Sequence, residues 1–374
     1  MSSAKCRWGF LGSSTIGRKN WLAINNSDNG EVVAVASRSA DRANEFIDFC
    51  QTKHPFPVRP EPVIGYQQLL ERSDIDAVYV PLPTGLRKEW VIQAAAAGKH
   101  VMCEKPCAVS AADLQEMIDA CQHHQVQFMD GVMFMHSQRL AAMRETLDSP
   151  NTIGPLRRIT SQFSFNGGED FDKHNIRMNS SLEPAGVVGD LGWYDIRFAL
   201  WAMNYQMPSE VSGKILRSGR RDDSPHAIPL EFEGNLQFPK GVSSNFYCSF
   251  VTALSQWASI IGTQGELFIS DFTLPFRNSR DRQVAYSVTN TQFDNSSCQF
   301  AMRENRQELY VTETSDSQHD SQETKMFRNF AQLVLTGKLD PFWPQVAWQT
   351  QRVMDALLES ANNGGVIIKL QTVD

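Results

Sequence analysis

The sequence has no long hydrophobic run and no excess of basic charge. None of its apolar stretches approaches the roughly 18 residues that a membrane-spanning helix needs, and the start, MSSAKCRWGFLG, lacks the apolar core of a signal peptide. The 35 lysines and arginines are outnumbered by 42 aspartates and glutamates, whereas nucleic-acid binding needs a basic surface. We therefore expect a cytoplasmic protein whose partner is neither a membrane nor a nucleic acid.

The seven cysteines are scattered and form no C-x-x-C pair. An odd set of this kind, without a secretion signal, is typical of reduced intracellular thiols. Cys103 and Cys107 lack the nearby histidine or cysteine that a zinc site needs, so we interpret both as buried apolar thiols. No His/Asp/Glu cluster has ligand spacing, and no G-x-S-x-G elbow indicates a hydrolase. The sequence therefore predicts no catalytic metal.

Strand and helix patterns alternate over residues 1–130 at the spacing of parallel β–α–β units. Runs such as EVVAVAS (31–37) and DAVYVP (76–81) are apolar throughout rather than alternating, which is typical of strands covered on both faces. This half is predicted to be a doubly wound parallel sheet.

The second half has a different rhythm. Stretches such as LRRITSQFSF and GELFISDF alternate apolar and polar residues, which indicates strands with one exposed face. One long helical pattern, GDLGWYDIRFALWAMN, interrupts them, and a final helical region follows Lys325. We predict an α+β domain over residues 131–374 around a large, mostly antiparallel open sheet, with the final helical segment packed back on the first domain.

GFLGSSTIG follows the first predicted strand, where a dinucleotide fingerprint G-x-G-x-x-G belongs. Gly12 would allow the tight turn and Gly17 the close packing of helix on strand, while Ser14 replaces the second glycine and offers a hydroxyl donor. The helix N-terminus, with Thr15 and Ile16, would offer free N–H groups to the pyrophosphate. Such turns also occur without nucleotide, but the place of this one in a β–α–β array favours a dinucleotide.

The end of the second strand bears on which dinucleotide is bound. An NAD-selective site places Asp or Glu there, about 20 residues after the glycines, whereas this chain reads Ala36-Ser37-Arg38-Ser39. Arg38 can lie against adenine or pair with a 2′-phosphate, Ser37 offers a hydroxyl, and Arg42 adds charge. The other interpretation is a solvated arginine at a helix start. We predict NADP, with NAD as the alternative.

Several motifs together resemble the Gfo/Idh/MocA oxidoreductases. They are GFLGSSTIG, VASRS, AVYVPLP, AGKHVMCEKP, GVVGDLGWYDIR and IIGTQGELFISDF, which extend over nearly the whole chain. The resemblance implies an N-terminal Rossmann domain and a larger C-terminal domain whose sheet often forms a dimer interface, hence a homodimer or homotetramer through that sheet. It also implies that Pro81 and Leu82 line the cofactor site.

HVMCEKPCAV (100–109) places Glu104 and Lys105 directly after an apolar strand. Ligands bind at the C-terminal edge of a parallel sheet, and in the resembled family this lysine lies near the nicotinamide and the reacting hydroxyl or carbonyl. A cation there would stabilise the alkoxide that develops as hydride leaves or arrives, and Glu104 would help to fix the cofactor. Without the surrounding motifs, Lys105 would be interpreted as a surface lysine.

Relatives often carry a D-x-G-x-H helix motif with the histidine as acid–base, whereas this chain has Tyr194 at that place. The difference resembles the branch that contains D-xylose dehydrogenases, dimeric dihydrodiol dehydrogenases and glucose–fructose oxidoreductase. Asp190 shares a helix face with Tyr194 and would orient a substrate hydroxyl. A tyrosine with its ordinary pKa of about 10 is a poor base, but a neighbouring cation lowers that pKa. Lys105 and Tyr194 therefore make sense as a catalytic pair; the alternative is that Tyr194 is a core aromatic.

Four further residues are candidates for the substrate pocket. His136 follows the last strand of the first domain, although a structural histidine at a domain junction is an equally good interpretation. Phe163, His174 and Arg177 come from the second half, with His174 in a predicted loop. Relatives often carry a cofactor- or substrate-contacting histidine near Arg87, and that role is not transferred to the arginine.

These features predict an NADP-dependent dehydrogenase that acts on the CH–OH group of a small-molecule substrate, a sugar or related diol. A D-xylose-type aldose 1-dehydrogenase and a trans-dihydrodiol dehydrogenase are the specific expectations. Two alternatives stay open. One is a non-catalytic dinucleotide-binding redox sensor, which would need neither Lys105 nor Tyr194. The other is a sugar–sugar oxidoreductase that keeps its cofactor tightly bound.

Overall fold

The computed structural model describes residues 4–276, 283–294 and 301–370. Within these residues the chain forms two units, each built from several stretches of sequence. The first unit contains the chain up to residue 136 together with 179–184 and 314–352. The second contains 137–178, 185–313 and the chain after 353.

The first unit is built on a parallel sheet of six strands in the order β3–β2–β1–β4–β5–β6. The strands are Cys6–Leu11 (β1), Gly30–Ser37 (β2), Glu61–Ile64 (β3), Ala77–Val80 (β4), His100–Cys103 (β5) and Phe128–Asp130 (β6). The intervening helices are Thr15–Asn25 (α1), Ala40–Lys53 (α2), Tyr66–Leu70 (α3), Thr84–Ala96 (α4) and Ala111–His123 (α5). The predicted doubly wound parallel sheet is confirmed.

Burial along these strands explains the apolar runs. All four residues of β4 are fully buried, because a central strand of a parallel sheet is covered on both faces. The edge strand β3, with sequence EPVI, is half-exposed and carries Pro62. Proline is tolerated at a sheet edge, where an N–H donor is not needed. Because β3 is short and contains no apolar run, the sequence did not predict it.

The second unit is built on a sheet of ten strands in the order β15–β14–β13–β12–β7–β10–β9–β8–β16, with β11 paired to β7. The helices are Gln138–Asp148 (α6), Gly168–His174 (α7) and Trp193–Ala202 (α8). The strands are Leu156–Asn166 (β7), Glu210–Gly219 (β8), Ile228–Gln237 (β9), Ser243–Ser249 (β10), Val251–Ser255 (β11), Ala258–Gly262 (β12), Glu266–Ile269 (β13), Gln283–Asp294 (β14), Ala301–Thr312 (β15) and Ile368–Lys369 (β16). Every pairing is antiparallel except that of β10 with β7, so the mostly antiparallel sheet is confirmed.

A continuous helical stretch crosses this sheet. Residues Val188–Gly192 form a π-helical turn that leads directly into α8. All ten residues of α8 are buried. A Cβ at Gly192 would lie 3.4 Å from Cys248 Sγ and 3.4 Å from a ring carbon of Phe246, both on β10. Glycine at this position therefore allows the helix to approach the strand closely.

The remaining helices are Gln322–Thr336 (α9) and Phe342–Asn362 (α10). Helix α9 belongs to the first unit, where Phe327 and Phe330 place their rings 5.3 and 5.1 Å from that of Trp8 on β1. Lys19 on α1 forms an ion pair of 2.6 Å with Glu323 on α9. A segment distant in sequence thus closes the core beside β1.

Candidate active site

The turn after β1 has a conformation that only glycine adopts readily. Gly12 has φ +114°, its N–H donates to the Ala36 carbonyl at 2.9 Å, and a Cβ there would lie 3.3 Å from Leu82 Cδ2. A side chain would therefore be strained and would fill the space at the end of the strand. This cradle of bare backbone is what a pyrophosphate needs in order to approach closely.

Helix α1 begins directly at this turn. Ser14 is its N-cap, and Ser14 Oγ accepts from the Gly17 N–H at 3.1 Å, which leaves the hydroxyl proton to donate. Thr15 and Ile16 in the first turn are exposed. A Cβ at Gly17 would lie 3.2 Å from Phe46, so its close packing is onto α2 rather than onto the strand that the sequence suggested.

The end of β2 presents arginine without a carboxylate. Ser37 is buried, whereas Arg38 and Arg42 are exposed. Ser39 caps α2 and accepts from the Arg42 N–H at 3.4 Å. Burial raises the pKa of Tyr66, against the opposing effect of the nearby Arg38 cation. Two exposed guanidinium groups at this edge fit the 2′-phosphate of NADP.

Pro81 and Leu82 follow β4 and are buried. Arg87, on α4, is only 5% exposed; its Nε donates to the Leu82 carbonyl at 2.7 Å and its Nη1 donates to the Pro106 carbonyl. The sequence left Arg87 without a role, and the structure shows that it connects the two loops that follow β4 and β5.

Glu183 caps α4 from a distant part of the first unit. Its carboxylate accepts from the Thr84 N–H at 3.1 Å and from the Thr84 hydroxyl at 2.5 Å. The Gly85 N–H donates to the Leu182 carbonyl at 3.0 Å. Nothing in the sequence indicated this contact, because it joins residues about a hundred positions apart.

The EKP motif follows β5 at the same carboxyl edge. Glu104 is 8% exposed; its Oε1 accepts from Tyr79 Oη at 2.6 Å and from Asn20 Nδ2 at 3.3 Å. Glu104 Oε2 accepts from the Lys105 N–H at 3.3 Å. Lys105 itself is half-buried, and its peptide bond to Pro106 is cis.

Four of the predicted residues lie together in the second unit. Tyr194, 6% exposed on α8, places its ring 5.7 Å from that of Phe163 on β7. Asp190 lies one turn earlier in the π-helical segment, and its Oδ2 is 2.6 Å from Arg177 Nε. Single π-helical turns often occur at functional sites because they change where side chains point. The aromatic pair and the ion pair therefore share one end of the helix.

Asp195 was missed by the sequence reasoning. It is fully buried beside Tyr194, and burial raises the pKa of its carboxyl well above the ordinary value, against the opposing effect of the Ser161 hydroxyl. Neither carboxyl oxygen makes a hydrogen bond of good geometry to the residues that the structure describes. Burial therefore favours the protonated form of the Asp195 carboxyl.

The two histidine candidates have different surroundings. His174 ends α7, a short helix where the sequence predicted a loop, and its side chain is 73% exposed with Nδ1 3.0 Å from Asp170 Oδ1. The helix also carries the i, i+4 ion pair of Glu169 with Lys173. His136, in the first unit, stacks on Trp343 with ring centroids 4.5 Å apart. Their roles in substrate binding stay predictions.

Cys103 and Cys107 are both fully buried, as the sequence indicated. Burial raises the pKa of the Cys107 thiol well above its ordinary value. Across residues 4–276, 283–294 and 301–370, no three His, Cys, Asp or Glu side chains group as metal ligands would, and no helix is long and apolar enough to span a membrane. The expected absence of a catalytic metal stays a prediction.

Two family models match the chain. One describes an oxidoreductase family with an NAD-binding Rossmann fold and matches residues 6–132; the other describes the GFO/IDH/MocA C-terminal domain and matches residues 140–268. The chain belongs to the Gfo/Idh/MocA oxidoreductase family. The predicted family, Rossmann domain and nicotinamide-dependent oxidoreductase are thereby confirmed.

Several proteins similar to this one have named activities. A dTDP-3,4-didehydro-2,6-dideoxy-alpha-D-glucose 3-reductase of Actinomadura kijaniata is 28% identical over 359 residues, 96% of each chain. A D-xylose 1-dehydrogenase (NADP(+)) of Haloferax volcanii is 28% identical over 360 residues, 96% of this chain and 98% of that protein. A trans-1,2-dihydrobenzene-1,2-diol dehydrogenase of Mus musculus is 29% identical over 273 residues, 72% of this chain and 76% of that protein.

The fold is also that of a solved family structure. A variant of KijD10, a 3-ketoreductase from Actinomadura kijaniata in complex with TDP-benzene and NADP, matches with a TM-score of 0.78 at 25% identity, covering 95% of this chain and 98% of that one. The residues at the carboxyl edge of the first sheet fit a nicotinamide dinucleotide on their own geometry, and NADP is the cofactor named for this neighbour and for the Haloferax enzyme.

Proposed function

We propose that this protein is an NADP-dependent dehydrogenase that transfers a hydride between nicotinamide and the carbinol or carbonyl carbon of a sugar or related diol. The observation that carries the proposal is the EKP motif after β5, whose Glu104 is held by buried donors, at the same sheet edge as the Gly12 turn. Ligands of open parallel sheets bind at this edge. When bound, the nicotinamide supplies the hydride acceptor or donor.

Lys105 is assigned to charge stabilisation. The oxygen on the reacting carbon carries negative charge once a carbinol has lost its hydroxyl proton and before its hydride leaves, and it gains that charge as hydride arrives at a carbonyl. A lysine cation at that point stabilises the developing alkoxide, a contribution that is worth on the order of 10²- to 10³-fold in turnover for one preorganised group. Glu104 is assigned to fixing the cofactor end of the site.

Tyr194 is assigned to proton transfer and Asp190 to substrate orientation. In oxidation, Tyr194 Oη would take the hydroxyl proton, and in reduction it would return it. The Lys105 cation would favour the phenolate form. Asp190 is held by Arg177 at 2.6 Å, which fixes its carboxylate as an oriented acceptor, and the hydroxyls of a sugar or diol are donors for such a group.

The substrate proposal has three members. An aldose oxidised at C1 and a trans-dihydrodiol are the substrates expected from the tyrosine variant of the helix motif. One relative named for each of these activities matches the chain. A dTDP-linked keto-sugar is the third, since the Actinomadura relative that covers nearly the whole chain acts on one. All three have a ring carbon that bears a hydroxyl or carbonyl oxygen and can exchange a hydride with nicotinamide.

A homo-oligomer through the ten-stranded sheet is also proposed. Strands of that sheet leave large apolar side chains exposed, among them Leu254 at 61% and Met302 at 81%. Exposed apolar side chains on a sheet favour association. A monomer in light scattering would contradict this proposal.

The test is turnover with NADP+ or NADPH against aldoses, trans-diols and dTDP-linked keto-sugars. Reduction or oxidation of the cofactor with one class would support the dehydrogenase and identify the class. Tight NADP binding without turnover of any class would favour a redox sensor. Purified protein that already carries nicotinamide absorbance would favour the sugar–sugar oxidoreductase.

A further inference from the structure

Both neighbours of Lys105 in the chain are anchored by buried side chains. On the amino-terminal side, Glu104 Oε1 accepts from Tyr79 Oη at 2.6 Å and from Asn20 Nδ2 at 3.3 Å. Asn20 Nδ2 is also 2.6 Å from Tyr79 Oη. Tyr79 is fully buried and Asn20 is 3% exposed. The three side chains come from α1, β4 and the end of β5, so they tie three elements of the first unit together.

The space around the Glu104 carboxylate is closed. A Cβ at Gly131, which follows β6, would lie 3.1 Å from Glu104 Oε1 and 3.3 Å from Oε2. Burial and the Glu104 charge raise the pKa of Tyr79 well above its ordinary value, so Tyr79 stays protonated and keeps donating. The carboxylate is therefore held by donors that do not titrate near neutral pH.

On the carboxyl-terminal side, the Pro106 carbonyl is held in the same way. It accepts from Arg87 Nη1 and, at 3.5 Å, from the Thr84 hydroxyl. Arg87 is 5% exposed and also donates to the Leu82 carbonyl at 2.7 Å. Lys105 thus lies between two fixed residues while its own side chain is half-buried.

We propose that Asn20, Tyr79 and Arg87 are positioning residues that set the place of Lys105 at the cofactor edge. The proposal rests on the proposed dehydrogenase function for its catalytic consequence, although the anchoring itself does not. These side chains act through Glu104 and Pro106 and touch neither substrate nor cofactor in this assignment. An error of about 1 Å in the placement of a catalytic group can cost on the order of 100-fold in rate, which gives such anchoring a use.

Stability alone does not explain the arrangement. A buried charged group is not needed to hold a fold together, because apolar residues of similar volume often stabilise as well or better. Here a carboxylate, a tyrosine hydroxyl and an amide are all buried next to a half-exposed lysine. That combination fixes the orientation of the polar side chains rather than adding buried apolar surface.

The first test compares two buried tyrosines. Tyr79→Phe removes the donor to Glu104 and keeps the ring. Tyr286→Phe is the matched control, since Tyr286 is 6% exposed and its hydroxyl lies 2.9 Å from Thr146 Oγ1 in the second unit. Each variant loses the two hydrogen bonds of its tyrosine hydroxyl, and Tyr79→Phe should lose more stability because it also leaves the buried Glu104 carboxylate short of a donor. We expect kcat to fall on the order of 10- to 100-fold in Tyr79→Phe only, with the KM for substrate within about twofold of that of the wild type. Equal kcat values in the two variants would overturn the proposal.

A second variant separates positioning from stability. Tyr79→Phe combined with Glu104→Gln removes the buried charge that Tyr79→Phe leaves short of a donor, so the unfolding midpoint should recover. Because Glu104 is itself assigned to the cofactor end of the site, Glu104→Gln alone is the reference, and kcat of the double variant should not exceed that of this reference. Recovery of kcat together with stability would show a merely structural role and would contradict the proposal.

A third readout needs no substrate. Glu104 Oε2 accepts from the Lys105 N–H, so hydrogen–deuterium exchange of the peptide that contains Lys105 reports the anchoring directly. Exchange in this peptide should become faster in Tyr79→Phe and in Arg87→Met and should be unchanged in Tyr286→Phe. If the wild type turned over no substrate but the exchange results held, the proposed function would fail and the anchoring would stand. Unchanged exchange in both anchor variants would overturn the anchoring itself.

Discussion

In the first unit the candidate residues follow the ends of β-strands, whereas in the second unit they lie on and around one buried helix. Arg38, Arg42 and Ile16 are exposed, and replacing them removes no core contact. Tyr194 is 6% exposed and its neighbours Trp193 and Asp195 are fully buried. At these exposed positions of the first unit, function can therefore be changed without changing stability, whereas on the buried helix of the second unit the two are coupled.

The difference follows from the two sheets. A parallel sheet gathers all strand ends at one edge, so a motif after any strand reaches the ligand. A mostly antiparallel sheet has no such edge, and a packed helix must carry the reactive groups instead. Such a helix also forms the core, so only substitutions of the same shape can test it cleanly.

The largest expected effect is on the stability of the second unit, through the buried ion pair of Arg139 with Asp271. Arg139 is 2% exposed and donates to Asp271 Oδ1 at 2.6 Å and to the Asp271 carbonyl at 2.8 Å. Arg139→Met leaves the buried Asp271 charge without its partner and should lower the free energy of unfolding by about 3–5 kcal/mol. Urea denaturation measures it. Arg157 is exposed, so Arg157→Met is the control and should change stability by less than about 0.5 kcal/mol. An equally small loss for Arg139→Met would show that the Arg139–Asp271 ion pair does not stabilise the second unit.

Arg38→Ala should change cofactor choice and leave stability alone. Loss of a charged hydrogen bond to a 2′-phosphate costs about 1.5–3 kcal/mol, which corresponds to a Kd for NADP raised on the order of 10- to 100-fold. The Kd for NAD should hardly change. Titration with both cofactors measures the ratio of the Kd for NADP to the Kd for NAD. Arg59, which is exposed in the same unit, provides the control variant Arg59→Ala. A parallel loss of affinity for NAD and NADP would remove Arg38 from 2′-phosphate recognition.

Gly12→Ala tests whether the turn after β1 is needed for cofactor binding as well as for stability. The φ of +114° should cost about 1–3 kcal/mol of stability for any side chain, and the added Cβ meets Leu82 at 3.3 Å. Cofactor affinity should fall as well. Gly98 also has positive φ but open space around its Cβ, so Gly98→Ala should lose stability and keep its affinity. Equal affinity in the two variants would show that the turn is only structural.

Asp195→Asn should change how stability depends on pH. The pKa of Asp195 is raised in the folded state by burial, so the folded protein keeps a proton that the unfolded chain loses above a pH of about 4. Stability of the wild type therefore falls as pH rises from there toward the folded pKa, by at most about 1.4 kcal/mol per pH unit. The variant lacks this effect, so its stability relative to the wild type should increase with pH. Parallel stability–pH profiles for both proteins would contradict a raised pKa of Asp195.

The sequence predicted the features that depend on short stretches of neighbouring residues. The Gly12 turn, the arginines after β2 and the EKP motif lie within short stretches next to apolar strands, and the topology of a parallel sheet places them at one edge. Asp190 and Tyr194 were named from the resemblance to the family's D-x-G-x-H motif, and helical spacing places the two on one face; their roles stay predictions.

The rest could not be predicted, because it depends on contacts between distant segments. The Glu183 cap on α4 and the Asn20–Tyr79–Glu104 network each join residues from different parts of the chain. The strands β8, β9, β14 and β15 were missed because their mixed polar pattern becomes a sheet only through pairing. The predicted domain boundary at residue 130 stays a prediction.

The most direct test of the account is cofactor reduction or oxidation by Lys105→Met, Tyr194→Phe and the double variant, measured with the best substrate of the panel beside NADP affinity. We predict that each single variant loses on the order of 10²-fold or more in kcat, that NADP binding is kept, and that the double variant is hardly worse than either single one, since residues that act as a unit are not additive. Near-normal turnover in either single variant would contradict the proposed lysine–tyrosine pair.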